Sequence, residues 1–120
     1  MTPQSAAAVF QVSNLDAALK HYKAVFGFSE DFRFGDYAGI RLGAVSLHLS
    51  GHSIYGRPVG GGTVCICCDE IDGYYAELKK KGAEMKSTPK DYPYGMREFT
   101  VVDLDGNFLF FGCEANIPKQ

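Results

Sequence analysis

A chain of 120 residues with 46% hydrophobic and 22% charged residues has the length and composition of one ordinary globular domain, which excludes a disordered or fibrous protein. Its 12 basic and 14 acidic side chains give a net charge of -2, which argues against the basic face that nucleic acid or a membrane surface requires. No apolar run approaches the ~20 residues of a membrane span, and MTPQSAAAVF lacks the basic start and apolar core of a secretion signal, so a cytoplasmic protein is expected.

In chain order, AAVFQVS alternates like a strand and leads into NLDAALKHYKAVFGF. There Ser13 or Asn14 can cap a helix whose Leu15, Ala18, Leu19, Tyr22 and Phe26 recur at helical spacing, with Gly27 as its stop. SEDFRFGDYAGIRLGAVSLHLS then holds three strand-like runs punctuated by glycine. After GHSIYGRPVGGG, TVCICC begins another strand, followed by an acidic helix start, the apolar set Ile71, Tyr74, Tyr75 and Leu78, a basic last turn and Gly82. STPKDYPYG is rich in turn formers, and REFTVVDLDGNFLFFGCE reads as two strands around a tight LDGN turn.

The order β-α-β-β-β therefore occurs twice. Ser13–Asp16 falls on Asp69–Asp72 at an offset of 56, and Ser46–Leu49 falls on Phe108–Phe111 at an offset of 62. The expected architecture is one α+β domain of two βαβββ modules, 1–50 and 63–115, joined by loop 51–62. Helices would cover one side of a curved mixed sheet, leaving a concave trough on the other. Strand alternation assigns Ala8, Phe10, Val12, Leu47, Leu49, Val64, Ile66 and Cys68 to the helix side. Ala7, Val9, Gln11, Ser46, His48, Ser50, Thr63, Cys65, Cys67, Phe108, Phe110 and Gly112 go to the trough.

Three of the four cysteines lie in CICC, too close in one strand to pair with each other, so only Cys113 is a possible partner. Reduced thiols acting as small apolar side chains explain most of them. A zinc site normally combines two spaced clusters or added histidines, which C-x-C-C lacks.

The repeat, with VSNLDAALKHYKAVFGF, CCDEIDGYYAELKKKGAE and above all YPYGMREFTVVDLDGNFLFF, resembles the vicinal-oxygen-chelate superfamily of glyoxalases, extradiol dioxygenases and bleomycin-resistance proteins. The last segment is similar to the P-W/Y-G-x-R-E-F…D-P-x-G-N signature of bleomycin-resistance proteins, with Leu104 in place of the common proline. Metal-using members hold a divalent ion at positions that correspond to Ala7, His48, Thr63 and Phe110. Methyl and phenyl groups have no lone pair to donate and a neutral threonine hydroxyl is a poor ligand, so no metal and no other cofactor is expected. A displaced zinc or copper site joining Cys65 or Cys67 to His48 is the alternative that soft ligands allow.

The resemblance then implies a metal-independent, homodimeric protein that captures an aromatic or amphipathic small molecule of the bleomycin type, with binding favoured over catalysis. The alternatives are a glyoxalase-like lyase or dioxygenase with an atypical site around His48, and a scaffold whose trough is filled by its own side chains. The candidate ligand-binding residues are Phe32, Phe34, Tyr37, His48, Thr63, Cys65, Cys67, Tyr92, Tyr94, Phe108 and Phe110; flat rings offer large contact area at modest entropic cost. His48 is also the catalytic candidate, as a general base or beside a thiol, with Ser46, Ser50 or backbone as its ordinary partners. Arg97 and Glu98 are expected to pair structurally, Asp103 and Asn107 to shape the LDGN turn, and Asp69, Glu70 and Asp72 to answer the helix dipole.

Overall fold

The computed structural model describes residues 1–115. Residues β1 (Ala8–Gln11), β2 (Ser29–Phe34), β3 (Tyr37–Leu42) and β4 (Val45–Ser50) form one sheet in the order β1-β4-β3-β2. In the second half β5 (Thr63–Cys67), β6 (Glu84–Met85), β7 (Lys90–Asp91), β8 (Met96–Val102) and β9 (Phe108–Glu114) form another, ordered β5-β9-β8-β6 with β7 also on β8. In each sheet the first strand runs parallel to the last, β1 beside β4 and β5 beside β9, and the remaining pairs are antiparallel. The duplication thus gives two mixed sheets, and among the described residues no strand pairs with the outer edge of the first strand in either.

Helix α1 (Leu15–His21) begins where the Asn14 side chain accepts from the Ala17 N–H at 2.9 Å, and continues as a wider π turn over Tyr22–Phe26. Ser13, the other capping candidate, instead donates its N–H and hydroxyl to Asp105 of the second module. Helix α2 (Ile71–Lys80) is entered through Glu70 at φ 50, without a side-chain cap. Gly27 and Gly82 follow the two helical segments at φ 84 and 86, the left-handed geometry expected of helix stops.

The helix-side assignments hold. Phe10, Val12, Leu47, Leu49, Ile66, Leu109 and Phe111 join Tyr22, Phe26, Leu78 and Phe99 in one buried core. The second module departs from the repeat in its second strand, which survives only as β6 and β7. Lys86–Pro89 separates them, because Pro89 has no N–H for the ladder and Ser87 turns its hydroxyl to the Thr100 N–H.

A buried polar network fastens the modules together. Asp103, 5% exposed, accepts from the Tyr22 hydroxyl (2.8 Å), the Asp105 and Asn107 N–H groups and the Asn107 side chain. Asn107 in turn donates to the Gln11 carbonyl and accepts from the Gly62 N–H. Asp103 and Asn107 therefore do more than shape their turn. Farther along, the Tyr74 hydroxyl donates to the Phe26 carbonyl at 2.6 Å.

His21 packs its ring edge-on to Phe26, and its buried Nε2 has no partner among the described residues. Burial lowers its pKa, against an opposing pull from Asp103. A histidine whose pKa is lower in the fold than in the unfolded chain makes stability fall as pH drops through its ordinary 6.5. Melting temperatures taken from about pH 7.5 to 5.5 are expected to decline less steeply in His21→Leu than in the wild type. Parallel profiles would disprove this assignment.

Candidate functional site

The trough assignments place residues on the sheet faces opposite the helices. In the first sheet, register lines up Val9, His48, Gly39 and Phe32 across all four strands, with Gln11, Ser50, Tyr37 and Phe34 in the adjacent row. Gly39 has no side chain because the Phe32 ring lies over it; a Cβ there would overlap the ring. Phe32 consequently reaches His48, ring centroids 5.2 Å apart and edge-on, while stacking with Tyr37 at 6.3 Å. The Tyr37 hydroxyl lies 2.7 Å from His48 Nδ1, and burial raises the phenol's pKa.

The partner of His48 is thus Tyr37, where Ser46, Ser50 or backbone was expected. Ser50 is fully buried and donates to the His52 carbonyl. With Nδ1 engaged, Nε2 is the nitrogen left to meet a ligand. Phe34 shares the face but is 85% exposed at the hairpin tip and outside this ring cluster.

On the second sheet Thr63 lies beside Phe108, Cys65 beside Phe110 and Cys67 beside Gly112. Phe108 and Phe110 are half-buried where the alternating Leu109 and Phe111 are fully buried, as the strand period requires. Lys86 sits over the Phe108 ring, 5.9 Å from its centroid. Glu98 lies across Gly112, where a Cβ would stand 3.0 Å from its Cγ, and accepts from the Tyr94 hydroxyl. Tyr94 stacks on Tyr92 at 5.3 Å.

Arg97 and Glu98 do not pair. As strand neighbours they face opposite ways, and Arg97 grips Asp72 of α2 (2.8 and 3.1 Å) and Asp91 (3.0 Å). Those bonds hold the Asp72 carboxyl below its usual pKa, so Asp72 has a specific partner beyond the helix dipole.

The structure therefore gathers the candidates into two groups, Phe32, Tyr37 and His48 on one sheet and Thr63, Cys65, Cys67, Phe108 and Phe110, flanked by Tyr92 and Tyr94, on the other. Among the described residues no hydrogen bond or ring contact joins them. All four cysteines are free thiols. Burial first, then Cys67 and Glu98, push the Cys65 thiol up, which disfavours it as a nucleophile.

Ala7, His48, Thr63 and Phe110 do not fit a divalent metal, since imidazole is the sole strong donor among them. Among the described residues no group of three or more His, Cys, Asp and Glu side chains is placed to hold one. No helix there is long and apolar enough to cross a membrane.

Clefts also open away from these faces. One of about 470 Å³ opens between the modules on the helix side, with Leu42, Tyr74 and Phe111 in its wall and Asp69, Glu70 and Glu77 around it. Another, about 210 Å³, lies between the outer edge of β1 and loop 51–62, where sequence patterning gave no signal.

No curated protein sequence matches the chain significantly. Among solved structures it is similar to a bleomycin-binding protein from Streptomyces verticillus complexed with copper(II)-bleomycin (25% identity, TM-score 0.76, covering 96% of this chain and 100% of that one). It also resembles a glyoxalase/bleomycin resistance protein/dioxygenase from Nocardioides (22%, TM-score 0.77, 99% and 89%). A third likeness is to the bleomycin resistance determinant encoded on transposon Tn5 (20%, TM-score 0.78, 93% and 98%). The family profile that matches residues 5–111 agrees with the two mixed sheets and the repeat, and the chain belongs to the Glyoxalase/Bleomycin resistance protein/Dioxygenase superfamily.

Proposed function

We propose that this protein captures an aromatic or amphipathic small molecule of the bleomycin type without a metal, and that it does so stoichiometrically as a homodimer. The observation that carries the reading is the chemistry of the two open sheet faces. A methyl group, a threonine hydroxyl and a phenyl ring stand at three of the four positions where metal-using relatives need donors, and Phe32, Tyr37 and His48 offer an aromatic surface with one polar nitrogen. The similar proteins that bind bleomycin support it.

A second copy is the natural cover for these faces. Val9 and Phe32 are 44% and 41% exposed, and β1 and β5 each present an unpaired edge. A dimeric mass in light scattering at micromolar concentration is expected; a monomer would remove that part of the proposal.

The test of capture is a thermal-shift panel of bleomycin, the glutathione adduct of methylglyoxal and catechol, each with and without Zn²⁺, Ni²⁺ and Fe²⁺. Stabilisation by bleomycin in the absence of metal is expected, about 2.7 kcal/mol at a hundredfold excess over Kd. Metal-dependent turnover of either of the other compounds, lost in His48→Ala, would overturn the reading in favour of a lyase or dioxygenase.

A further inference from the structure

The cleft beside β1 is lined by Val9, Gln11, Ile54, Arg57, Pro58 and the Gly61–Gly62 backbone. Val9 is the cross-strand neighbour of His48, and Gln11 that of Ser50, so the cleft continues directly from the row that carries the Phe32–Tyr37–His48 cluster. Its walls are apolar except at three points. Gln11 is 7% exposed and spends its amide N–H on the His52 carbonyl at 2.7 Å, which ties the loop to the strand.

Arg57 is exposed, and among the described residues no ion pair reaches it. The Gly60 N–H is used by the Gln11 carbonyl and the Gly62 N–H by Asn107, whereas the Gly61 N–H between them has no described acceptor. A guanidinium and a spare backbone donor beside an apolar slot suit a carboxylate or similar anion carried on an apolar body.

A second cation lies on this face. Strand alternation puts Arg41 on the open side with Tyr37 and Gly39, and it too is exposed and without an ion pair among the described residues. The Asp36 carboxylate lies at the far end of the loop, against Gly51.

We infer that loop 51–62 builds an anion-recognising subsite around Arg57, and that the molecule captured is an aromatic or apolar organic acid. Its planar part lies against Phe32, Tyr37 and His48, and its acid group reaches Arg57 past Val9. This rests on the reading that an aromatic or amphipathic guest is captured, and it commits that guest to the organic acids, with a cationic drug of the bleomycin type the weaker ligand.

The experiment is a calorimetric titration with three probes of one shape and different charge, 2-naphthoate, 2-naphthalenemethanol and 2-naphthylmethylammonium. The wild type is expected to bind the acid about tenfold more tightly than the alcohol, with the ammonium weakest. Arg57→Gln should lose about tenfold for the acid and stay within about twofold for the alcohol, and Arg57→Lys should recover part of the loss. Lys79→Gln, the same charge change on the exposed face of α2, should match the wild type.

Equal binding of the acid by Arg57→Gln and the wild type overturns the subsite, as does a preference for the ammonium. Alcohol and acid binding alike overturns it while leaving capture standing. If none of the three probes binds, the subsite fails and capture is decided separately by the drug panel.

Discussion

Asp103→Ala is expected to lower stability by about 3 kcal/mol or more, read from the urea midpoint at constant slope. The carboxylate accepts four hydrogen bonds while almost wholly buried. Alanine strands the Tyr22 hydroxyl, which is fully buried. It also frees the Asn107 side chain, which bonds the Gln11 carbonyl and the Gly62 N–H, so the loss spreads from the turn to the junction of the modules. Leu104→Ser, in the same turn but 59% exposed, should change little. A loss below about 1 kcal/mol for Asp103→Ala would show that the network is not what fastens the halves.

Gly62→Ala should be nearly as damaging, costing about 2 to 3 kcal/mol for the addition of one methyl group. The new Cβ would overlap the Phe10 ring and stand 2.9 Å from Asn107 Oδ1. Phe10 is 1% exposed in the packed core and has nowhere to swing, so strand and loop must part. Gly61→Ala is the contrast: its nearest neighbour would be Pro58 Cγ at an ordinary 3.5 Å, and the reduced freedom of the unfolded chain makes it neutral or slightly stabilising. Similar urea midpoints for the two variants would contradict the close-packed junction.

Both positions are invisible to periodicity, which explains what the sequence could and could not disclose. The faces of β1, β4, β5 and β9 follow from alternation alone, and Leu47 and Leu49 are buried while His48 between them is not. The repeat gave the module order for the same local reason. The Tyr37–His48 contact was also within reach: the tight Gly43–Ala44 turn pairs Leu42 with Val45, and counting back sets Tyr37 diagonal to His48.

The Tyr22–Asp103 bond was not within reach. It joins residues 81 positions apart across two modules whose mutual packing no local pattern records. The broken second strand of the second module shows the converse. Its proline was legible, but the fragments persist because the long strand β8 supplies partners on both sides of the gap.

Gly39 on β3 and Gly112 on β9 are each left bare so that a side chain of the adjacent strand can lie across it. In the first sheet the covering group is the Phe32 ring and in the second it is the Glu98 carboxylate. A duplicated scaffold is close to a palindrome, and a guest entering it would otherwise meet the same surface from either end. One aromatic and one acidic cover give the molecule a head and a tail. Under the capture reading proposed above, a guest with a polar end and a flat end would then have a preferred heading, which a perfect repeat would deny it.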